Sequence, residues 1–391
     1  MNLQTFVRLA LPLLAASLVL ARGHAHAEEF VVGVETPLSG SLARVGTGMN
    51  EGIHVAADVF NRKNGKHTIK LIVIDDESSP AKAVAAVEKL ASQNVIAVTG
   101  GYGSGNIGPA SDAANKAGLV YITSGGVDEA LTQRGLKTFF RINNTAGYSK
   151  AMLGLLSDMG AKNVSIVYLT KEATSDLAKD VEKALAAKGV KVTMHEFDPS
   201  TTDLKPIVNK IKLQDKPDVI AMSGYENDYV GIIRAAKVLK PDVKAMVGVW
   251  SLATSKMADD FPDLMNNVYG TALLPFPAEF PSPDGKDFAD TYKKLYGKEP
   301  DYLGQFGYVQ SQLLFDAIVR AADAGTLKSG GIATELRKTN KETLIGKVTF
   351  DDKGDNLNFS HRMGQHQGKK VVIVWPKEFA NGKMVYPGVP W

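Results

Sequence analysis

Two glycine-rich turns, each following a short β-branched run, carry the residue types best suited to binding a small ligand. The first lies in 95–109, VIAVTGGYGSGNIGP, and the second in 120–127, VYITSGGV. A strand that ends in glycines just before a helix presents unpaired backbone N–H groups at the positive end of the helix dipole, and such a place binds anions. Ser104 adds a hydroxyl donor to the first turn. The two turns therefore predict half of a site for a small carboxylate, on the rim of a parallel sheet.

The same glycines permit two other interpretations. Gly103, Gly105 and Gly108 have the spacing of the dinucleotide fingerprint, and Asp128 follows about twenty residues later, where a ribose-binding acid would stand. The match falls on the third predicted strand rather than the first, however, and Asp128 follows a Gly-Gly turn instead of closing a strand. The glycines also suit plain tight turns without any ligand. We favour the anion site and expect no cofactor.

The first 27 residues are typical of a secretory signal peptide. Arg8 precedes an apolar run over 9–21, and the small residues Ala25-His26-Ala27 form an A-x-A cleavage site. The run is too short to span a bilayer as a permanent helix. We therefore expect a periplasmic protein that begins at Glu28 and has no direct membrane insertion.

Charge and cysteine content exclude several classes of function. The chain has 45 Lys and Arg residues against 42 Asp and Glu, which gives no support for nucleic-acid or membrane-surface binding. It has no cysteine, so disulfides and a lipid-bearing N-terminal cysteine are excluded. His361 and His366 have a poor spacing for a helical metal pair, and we expect no metal site. The motifs G-x-S-x-G and H-E-x-x-H are missing, which argues against an enzyme.

The elements that must position the glycine turns alternate between strand and helix. A first series predicts strands over 30–35, 68–75, 95–99 and 120–123, a loop over 37–48, and helices over 49–64, 80–93 and from 109. A second series predicts helices over 148–159, 175–188, 204–214 and 228–238, with strands over 163–168, 191–197, 219–222 and 245–249. The proline-rich segment 273–283 is followed by predicted helices over 288–296 and 308–324 and strands over 347–350 and 369–375. This alternation favours an α/β protein with two domains of similar design, each a parallel sheet covered by helices on both faces.

From Glu28 onward the chain resembles the type I periplasmic solute-binding proteins, in the leucine/isoleucine/valine-binding branch that serves branched-chain amino acid ABC transporters. The resemblance rests on four segments: VGVETPLSGSLARVG near the start, GGYGSGNIGPASDAANKAGLVYITSGG, FRINNT, and GKVTFDDKGD near the end. Their order and spacing together are specific, although no single one is diagnostic.

The resemblance implies two Rossmann-like lobes joined by a hinge in which the chain crosses three times, near Asn143, Pro275 and Asp351. The N-terminal lobe would comprise 28–143 plus 276–350, and the C-terminal lobe 144–275 plus 351–391. Closure of such lobes over a ligand is a known hinge motion. The closed protein, a monomer, would dock on an inner-membrane ABC permease. A sensor for a signalling partner shares this fold and stays an alternative.

The resemblance also assigns candidate ligand-binding residues. The carboxylate would be held by Ser104 of the first turn and by backbone groups of Gly125, Gly126 and Val127 in the second, and Tyr225 would line the opposite lobe. Tyr102 and Gly103, beside Ser104 in the first turn, are further candidate site residues. Members that bind amino acids usually have a threonine at the position of Val127. They also have a glutamate just after the strand 245–249, where this chain reads GVWSLA and has Trp250.

These departures change the expected ligand. A buried ammonium group without a carboxylate partner is costly, so the missing glutamate weakens the case for an amino acid. Tyr102, Tyr225 and Trp250 could instead contact an apolar or aromatic body. We therefore expect an aromatic or other apolar organic acid, with Arg44 as a second partner for its carboxylate. If Glu226 replaces the missing glutamate, the ligand is a branched-chain or other hydrophobic amino acid.

Overall fold

The computed structural model describes residues 28–278, 280 and 282–391, so the predicted signal peptide lies outside the described residues. The strands are β1 (Glu28–Thr36), β2 (His67–Asp75), β3 (Ala97–Gly100), β4 (Val120–Thr123), β5 (Phe139–Arg141), β6 (Asn163–Leu169), β7 (Lys191–Phe197), β8 (Val219–Ser223), β9 (Ala245–Val247), β10 (Tyr269–Ala272), β11 (Asn340–Thr343), β12 (Gly346–Thr349), β13 (Arg362–Gln367) and β14 (Lys370–Trp375). The helices are α1 (Ala43–Lys63), α2 (Pro80–Ser92), α3 (Ser104–Lys116), α4 (Ala130–Gln133), α5 (Thr145–Asp158), α6 (Glu172–Ala186), α7 (Lys205–Lys210), α8 (Glu226–Leu239), α9 (Ser255–Asp260), α10 (Pro262–Met265), α11 (Pro283–Tyr296), α12 (Tyr302–Asp323) and α13 (Gly331–Arg337). None of the helices in this described part is long and apolar enough to cross a bilayer.

The first sheet is wholly parallel and has the strand order β2-β1-β3-β4-β5. Parallel neighbours require crossover connections, which the intervening helices supply. Strands β3 and β4 pair directly, with Ala97 opposite Val120 and Thr99 opposite Ile122. The two glycine turns that follow these strands therefore lie side by side on one rim of the sheet, as predicted.

The second sheet has the order β14-β13-β10-β9-β8-β6-β7 and is mixed. Its strands from β6 to β10 are parallel, whereas β13 runs antiparallel to β10 and to β14. The expectation of an all-parallel second sheet is wrong at this edge. Only Gly368 and Lys369 separate β13 from β14, and so short a loop forms a hairpin rather than a crossover. Gly368 has a φ of 65°, as such a turn requires.

The two sheets have separate hydrophobic cores. Phe288, Phe306 and Phe315, which come after β10 of the second sheet in the sequence, share one buried cluster with Val32 and Val34 of β1. Helices α1 and α12 pack closely there. The contact is so close that a Cβ on Gly52 would collide with the carbonyl oxygen of Gly304. This close packing brings the start of α12 to the rim on which the glycine turns lie.

The predicted crossing segments are tied together by an ion pair between a buried arginine and a partly buried aspartate. The guanidinium of Arg141, which is 1% exposed, donates to both carboxylate oxygens of Asp355, with Nε–Oδ1 at 3.1 Å and Nη2–Oδ2 at 2.6 Å. The side chain of Asn356 donates to the carbonyl of Ile142 at 2.9 Å. The predicted first and third crossings are therefore in direct contact, although the lobe boundaries themselves stay a prediction.

Several elements differ from the predicted ones at their ends. Helix α1 begins at Ala43, so the predicted loop over 37–48 is too long, and α12 begins at Tyr302 rather than at 308. Asp301 caps α12 by accepting from the amides of Leu303 and Gly304, a signal that the apolar periodicity alone does not contain. The short strands β5, β10 and β13 were not predicted, because runs of three to six residues give a weak pattern.

Candidate functional site

A cavity lies between the two lobes at the carboxyl ends of strands β3, β4, β8 and β9. This is the rim at which open α/β sheets bind ligands. Its lining residues are Met49, Tyr102, Gly103, Ser104, Ser124, Gly125, Val127, Tyr148, Ala173, Tyr225, Trp250, Tyr302, Leu303 and Phe306. Most of the residues named from the sequence are in this set.

One pole of the cavity is formed by the two glycine turns. Ser104 is the first residue of α3, and its Oγ accepts hydrogen bonds from the amides of Val127 at 3.2 Å and Asp128 at 3.1 Å. Its own hydroxyl proton remains available for an acceptor in the cavity. The amides of Asn106 and Ile107 donate to the carbonyl of Gly103, whereas those of Ser104 and Gly105 have no partner among the described residues and add two further donors. This pole can therefore hold an anion with neutral donors alone.

Glycine is required where the two turns meet. The amide of Gly103 donates to the carbonyl of Gly125 at 3.0 Å, which joins the turns. A Cβ on Gly125 would collide with the carbonyl of Gly101, and Gly103 has a φ of 88°. Gly126 differs from its neighbours, because a side chain there would meet Ile107 and Leu131 in the core instead of the cavity.

The rest of the cavity wall is aromatic. The ring of Trp250 lies nearly parallel to that of Tyr225, with centroids 6.3 Å apart and an interplanar angle of 27°. Tyr148 is 5.6 Å from Trp250 on another side. Tyr302 and Phe306 enter from the start of α12 and form an edge-to-face pair at 5.9 Å. Of the fourteen lining residues six are aromatic and none is charged.

Two lining tyrosines also bridge the lobes. The hydroxyl of Tyr102 and the Oγ of Ser251 are 3.3 Å apart, and the amide of Ser251 donates to the hydroxyl of Tyr302. Ser251 has a φ of 51°, a left-handed conformation that few non-glycine residues adopt. The turn after β9 is thus held against the N-terminal lobe at the edge of the cavity.

Several lining residues were not predicted from the sequence, and one physical reason explains all of these omissions. Met49, Tyr148, Tyr302 and Phe306 lie on helices, where an apolar residue is normally part of the core. Their role depends on which helix face the fold turns toward the cleft. The cap at Asp301 was the available signal for Tyr302, because it places that residue in the first turn of a helix.

Arg44 and Glu226 lie outside this cavity, in an adjoining cleft. Arg44 Nε is 2.9 Å from Glu226 Oε2, and the same guanidinium contacts Asp260. This ion-pair group therefore spans the cleft between α1 of one lobe and α8 and α9 of the other. Burial raises the pKa of Glu226 to about 7, against the opposing effect of the Arg44 charge.

The two histidines considered as metal ligands are both buried and hydrogen-bonded to backbone. His361 Nδ1 lies 3.1 Å from the carbonyl of Ala272, and His366 Nε2 lies 2.7 Å from the carbonyl of Leu252. Burial lowers the pKa of His361 to about 3. Within the described ranges there is no group of three or more His, Cys, Asp or Glu residues that could hold a metal ion.

Two α/β lobes with a cavity between them, at the carboxyl ends of their strands, define a bilobal binding protein. The sequence model of the family described as "Periplasmic binding protein" matches residues 29–370, and the chain belongs to this family. The chain is a binding protein of the branched-chain amino acid ABC transporter type. Proteins of this family are periplasmic, bind small molecules, work with ABC transporter permeases and are not enzymes.

Individual relatives cover nearly the whole chain. "Leu/Ile/Val-binding protein homolog 7" of Brucella melitensis is 25% identical over 96% of this chain and 98% of its own length. The solved structure of LivJ from Streptococcus pneumoniae in complex with isoleucine has a TM-score of 0.78 and 25% identity, covering 89% of this chain and 100% of LivJ. A solute-binding protein from R. palustris in complex with benzoate has a TM-score of 0.77 and 18% identity, covering 88% and 95%.

Proposed function

We propose that this protein captures a small aromatic or other apolar organic acid in the interlobe cavity and delivers it to the permease of an ABC importer. One observation carries the choice of ligand: the cavity wall has six aromatic side chains and no charged one among its fourteen described residues. An apolar body gains most from such a wall, because burial of its surface is favourable by about 25 cal/mol per Å².

The acid end of the ligand is assigned to the pole formed by Ser104 and the turn at Gly125–Val127. The Ser104 hydroxyl and the amides of Ser104 and Gly105 are donors without an opposing carboxylate in the cavity wall. An oxyanion accepts charge-assisted hydrogen bonds there, which are roughly twice as strong as those between neutral groups. Arg44 is not needed for this pole, because it pairs with Glu226 and Asp260 in the adjoining cleft.

A hydrophobic amino acid is the second candidate ligand. Leucine, isoleucine and valine appear in the names of the relatives, and the solved LivJ structure holds isoleucine. An α-ammonium group in this cavity would have no carboxylate partner in the wall, since Glu226 faces the adjoining cleft. Burying a charge without a partner costs several kcal/mol. The same fold holds benzoate in the R. palustris protein, so the fold itself does not decide between the two ligand classes.

Calorimetry with the purified protein decides between these ligands. We expect benzoate-like or phenylpropanoid acids to bind with micromolar or lower Kd, and leucine and valine to bind far more weakly. Tight binding of leucine or valine together with no binding of any aromatic acid would overturn the proposal. Glu226 would then be the candidate partner of the ammonium group.

We further propose that the lobes, 28–143 plus 276–350 and 144–275 plus 351–391, close around the ligand by rotation at the three crossings. The direct contacts of Tyr102 and Tyr302 with Ser251 support a closed form in which the cavity is sealed. Solution scattering tests this: the radius of gyration of the monomer should fall when a saturating acid ligand is added. An unchanged radius with a ligand that calorimetry shows to bind would contradict closure on binding.

We also propose that residues 1–27 are a signal peptide that directs export, and that the protein acts as a monomer. The family's periplasmic location supports export. N-terminal sequencing of protein from the periplasm should return Glu28, and recovery of Met1 would contradict it.

A further inference from the structure

The indole N–H of Trp250 is a buried donor that the protein does not use. Trp250 is 4% exposed, and its Nε1 has no hydrogen-bond partner among the described residues. A buried donor left without an acceptor is uncommon in folded proteins and unfavourable, since the group has lost its hydration. Trp250 also lines the ligand cavity, so the unpaired donor belongs to a residue of the cavity wall.

The contacts of the indole ring leave the N–H unpaired. Tyr225 is nearly parallel to the indole at 27°, and such stacking covers a ring face. The N–H lies in the plane of the ring and points from its edge, so the stacked contact does not involve it. Replacement of the N–H by a C–H would keep this stacking, which means that packing alone does not require a tryptophan here.

Ser104 and Trp250 reach the cavity from different sheets. Ser104 follows β3 of the first sheet, and Trp250 follows β9 of the second. A ligand whose carboxylate is bound at Ser104 therefore directs its other end toward the lobe that carries Trp250. Tyr302, near the same turn, accepts from the amide of Ser251 and keeps its own hydroxyl proton for donation.

We infer that the ligand carries, at the end opposite its carboxylate, an oxygen that accepts a hydrogen bond from Trp250 Nε1. The inference rests on the proposed function, since it takes the carboxylate to be at the Ser104 pole. The ligand class is a ring-substituted aromatic acid with a hydroxyl, methoxy or carbonyl oxygen. Trp250 is then the residue that selects these acids over unsubstituted ones, because a site built to hydrogen-bond a polar group rejects the analogue that lacks it.

Isosteric pairs of acids test this by calorimetry. The pairs are 3- and 4-hydroxybenzoate against 3- and 4-methylbenzoate, and 3-(4-hydroxyphenyl)propanoate against 3-(4-methylphenyl)propanoate. In the wild type we expect the hydroxy member of at least one pair to bind about tenfold more tightly, which corresponds to one net hydrogen bond. In Trp250→Phe that ratio should fall toward one, whereas Trp375→Phe, a tryptophan outside the cavity, should preserve it.

The ratio within a pair is insensitive to the lost area of the indole, because both members lose the same contact. Equal binding of both members of every pair in the wild type would overturn the inference and leave the proposed function standing. A preference that survives in Trp250→Phe would overturn it as well. If no acid of any pair binds while leucine or valine does, the proposed function itself fails.

A second measurement covers the case in which Trp250→Phe does not fold. The indole ¹⁵N–¹H signal of Trp250, assigned by elimination with Trp375→Phe and Trp391→Phe, should move downfield in the proton dimension when the preferred hydroxy acid is added. Its methyl partner should not cause this shift. The same shift with both members would overturn the inference.

Discussion

The hydroxyl of Tyr102 and the Oγ of Ser251 lie 3.3 Å apart across the cleft, so the two lobes are joined by a hydrogen bond at the edge of the ligand cavity. Both residues are buried. Burial raises the pKa of Tyr102 beyond its ordinary range, so the phenol stays protonated at physiological pH. The contact exists only when the lobes are together, and its energy therefore enters the closing equilibrium.

Removal of this hydroxyl should weaken ligand binding without unfolding the protein. Tyr102→Phe retains the ring in the cavity wall and deletes one hydrogen bond, worth about 0.5–1.5 kcal/mol. We expect Kd to rise roughly two- to tenfold by calorimetry. Tyr296→Phe, in the same lobe but outside the cavity, is the control and should leave Kd unchanged. Equal effects of the two variants would show that the contact does not assist closure.

The Ser104 hydroxyl should contribute more to ligand affinity than the Tyr102 hydroxyl, because its partner in the proposed complex is an anion. Ser104→Ala removes a charge-assisted hydrogen bond worth about 1.5–3 kcal/mol, and we expect affinity for the acid to fall about ten- to a hundredfold. The variant also deprives the amides of Val127 and Asp128 of their acceptor, so its melting temperature is measured without ligand. Ser92→Ala, an exposed serine, is the control. Unchanged affinity in a folded Ser104→Ala protein would place the carboxylate elsewhere.

The Arg141–Asp355 pair should be far more important for stability than a surface pair. Asp355→Asn leaves the guanidinium of Arg141, which is 1% exposed, without its counter-charge, and such a loss typically costs about 3–5 kcal/mol. Asp112→Asn removes the exposed partner of Arg134 and should cost less than about 1 kcal/mol. Urea unfolding of both variants compares the two losses. Similar small losses would contradict a structural role for the pair that ties the crossings.

The sequence predicts those parts of the architecture that local patterns determine, and it does not predict the parts that depend on long-range packing. Local patterns located the turns around Ser104 and Gly125 and the paired strands before them, because a strand ending in glycines is read within fifteen residues or so. Trp250 and Tyr225 were placed by family resemblance. Tyr302 and Phe306 were not found, because the face of α12 that meets the cleft is set by its packing on α1 through glycine contacts. Long-range packing of that kind is not contained in local periodicity.

A buried carboxyl pair beneath the first glycine turn should make stability depend on pH. Burial, followed by the neighbouring Asp76 carboxyl, raises the pKa of Glu35 well above its ordinary value, and Tyr121 donates to Glu35. The folded protein then keeps a proton that the unfolded chain loses above about pH 4.3, so stability falls as pH rises from there through the folded pKa.

Glu35→Gln should reduce that dependence. The amide carries no charge, so the variant should gain stability relative to the wild type as pH rises from 5 to 8. Urea unfolding at three pH values measures the difference, and Glu88→Gln, an exposed glutamate on α2, is the control. A constant difference between wild type and Glu35→Gln across this range would mean that Glu35 does not hold the proton.

The cleft-spanning pair of Arg44 and Glu226 should make ligand affinity fall as pH rises, in the same way that the Glu35 carboxyl lowers stability. Burial raises the pKa of Glu226 to about 7, and its Oε1 has no partner among the described residues. Opening of the lobes would expose this carboxyl and return its pKa toward about 4.3, so the closed form retains the proton better. The bound proton stabilises the closed form fully when the pH is below the pKa of the open form. This stabilisation is lost as the pH rises through the closed-form pKa of about 7.

We expect Kd for the acid ligand to rise about three- to tenfold between pH 5.5 and 8, after allowance for partial solvent screening. Glu226→Gln should bind with a nearly constant Kd over this range, whereas Glu342→Gln, an exposed glutamate, should behave like the wild type. An affinity that instead increases with pH in the wild type would show that the ionised Arg44–Glu226 pair, and not the protonated carboxyl, stabilises closure.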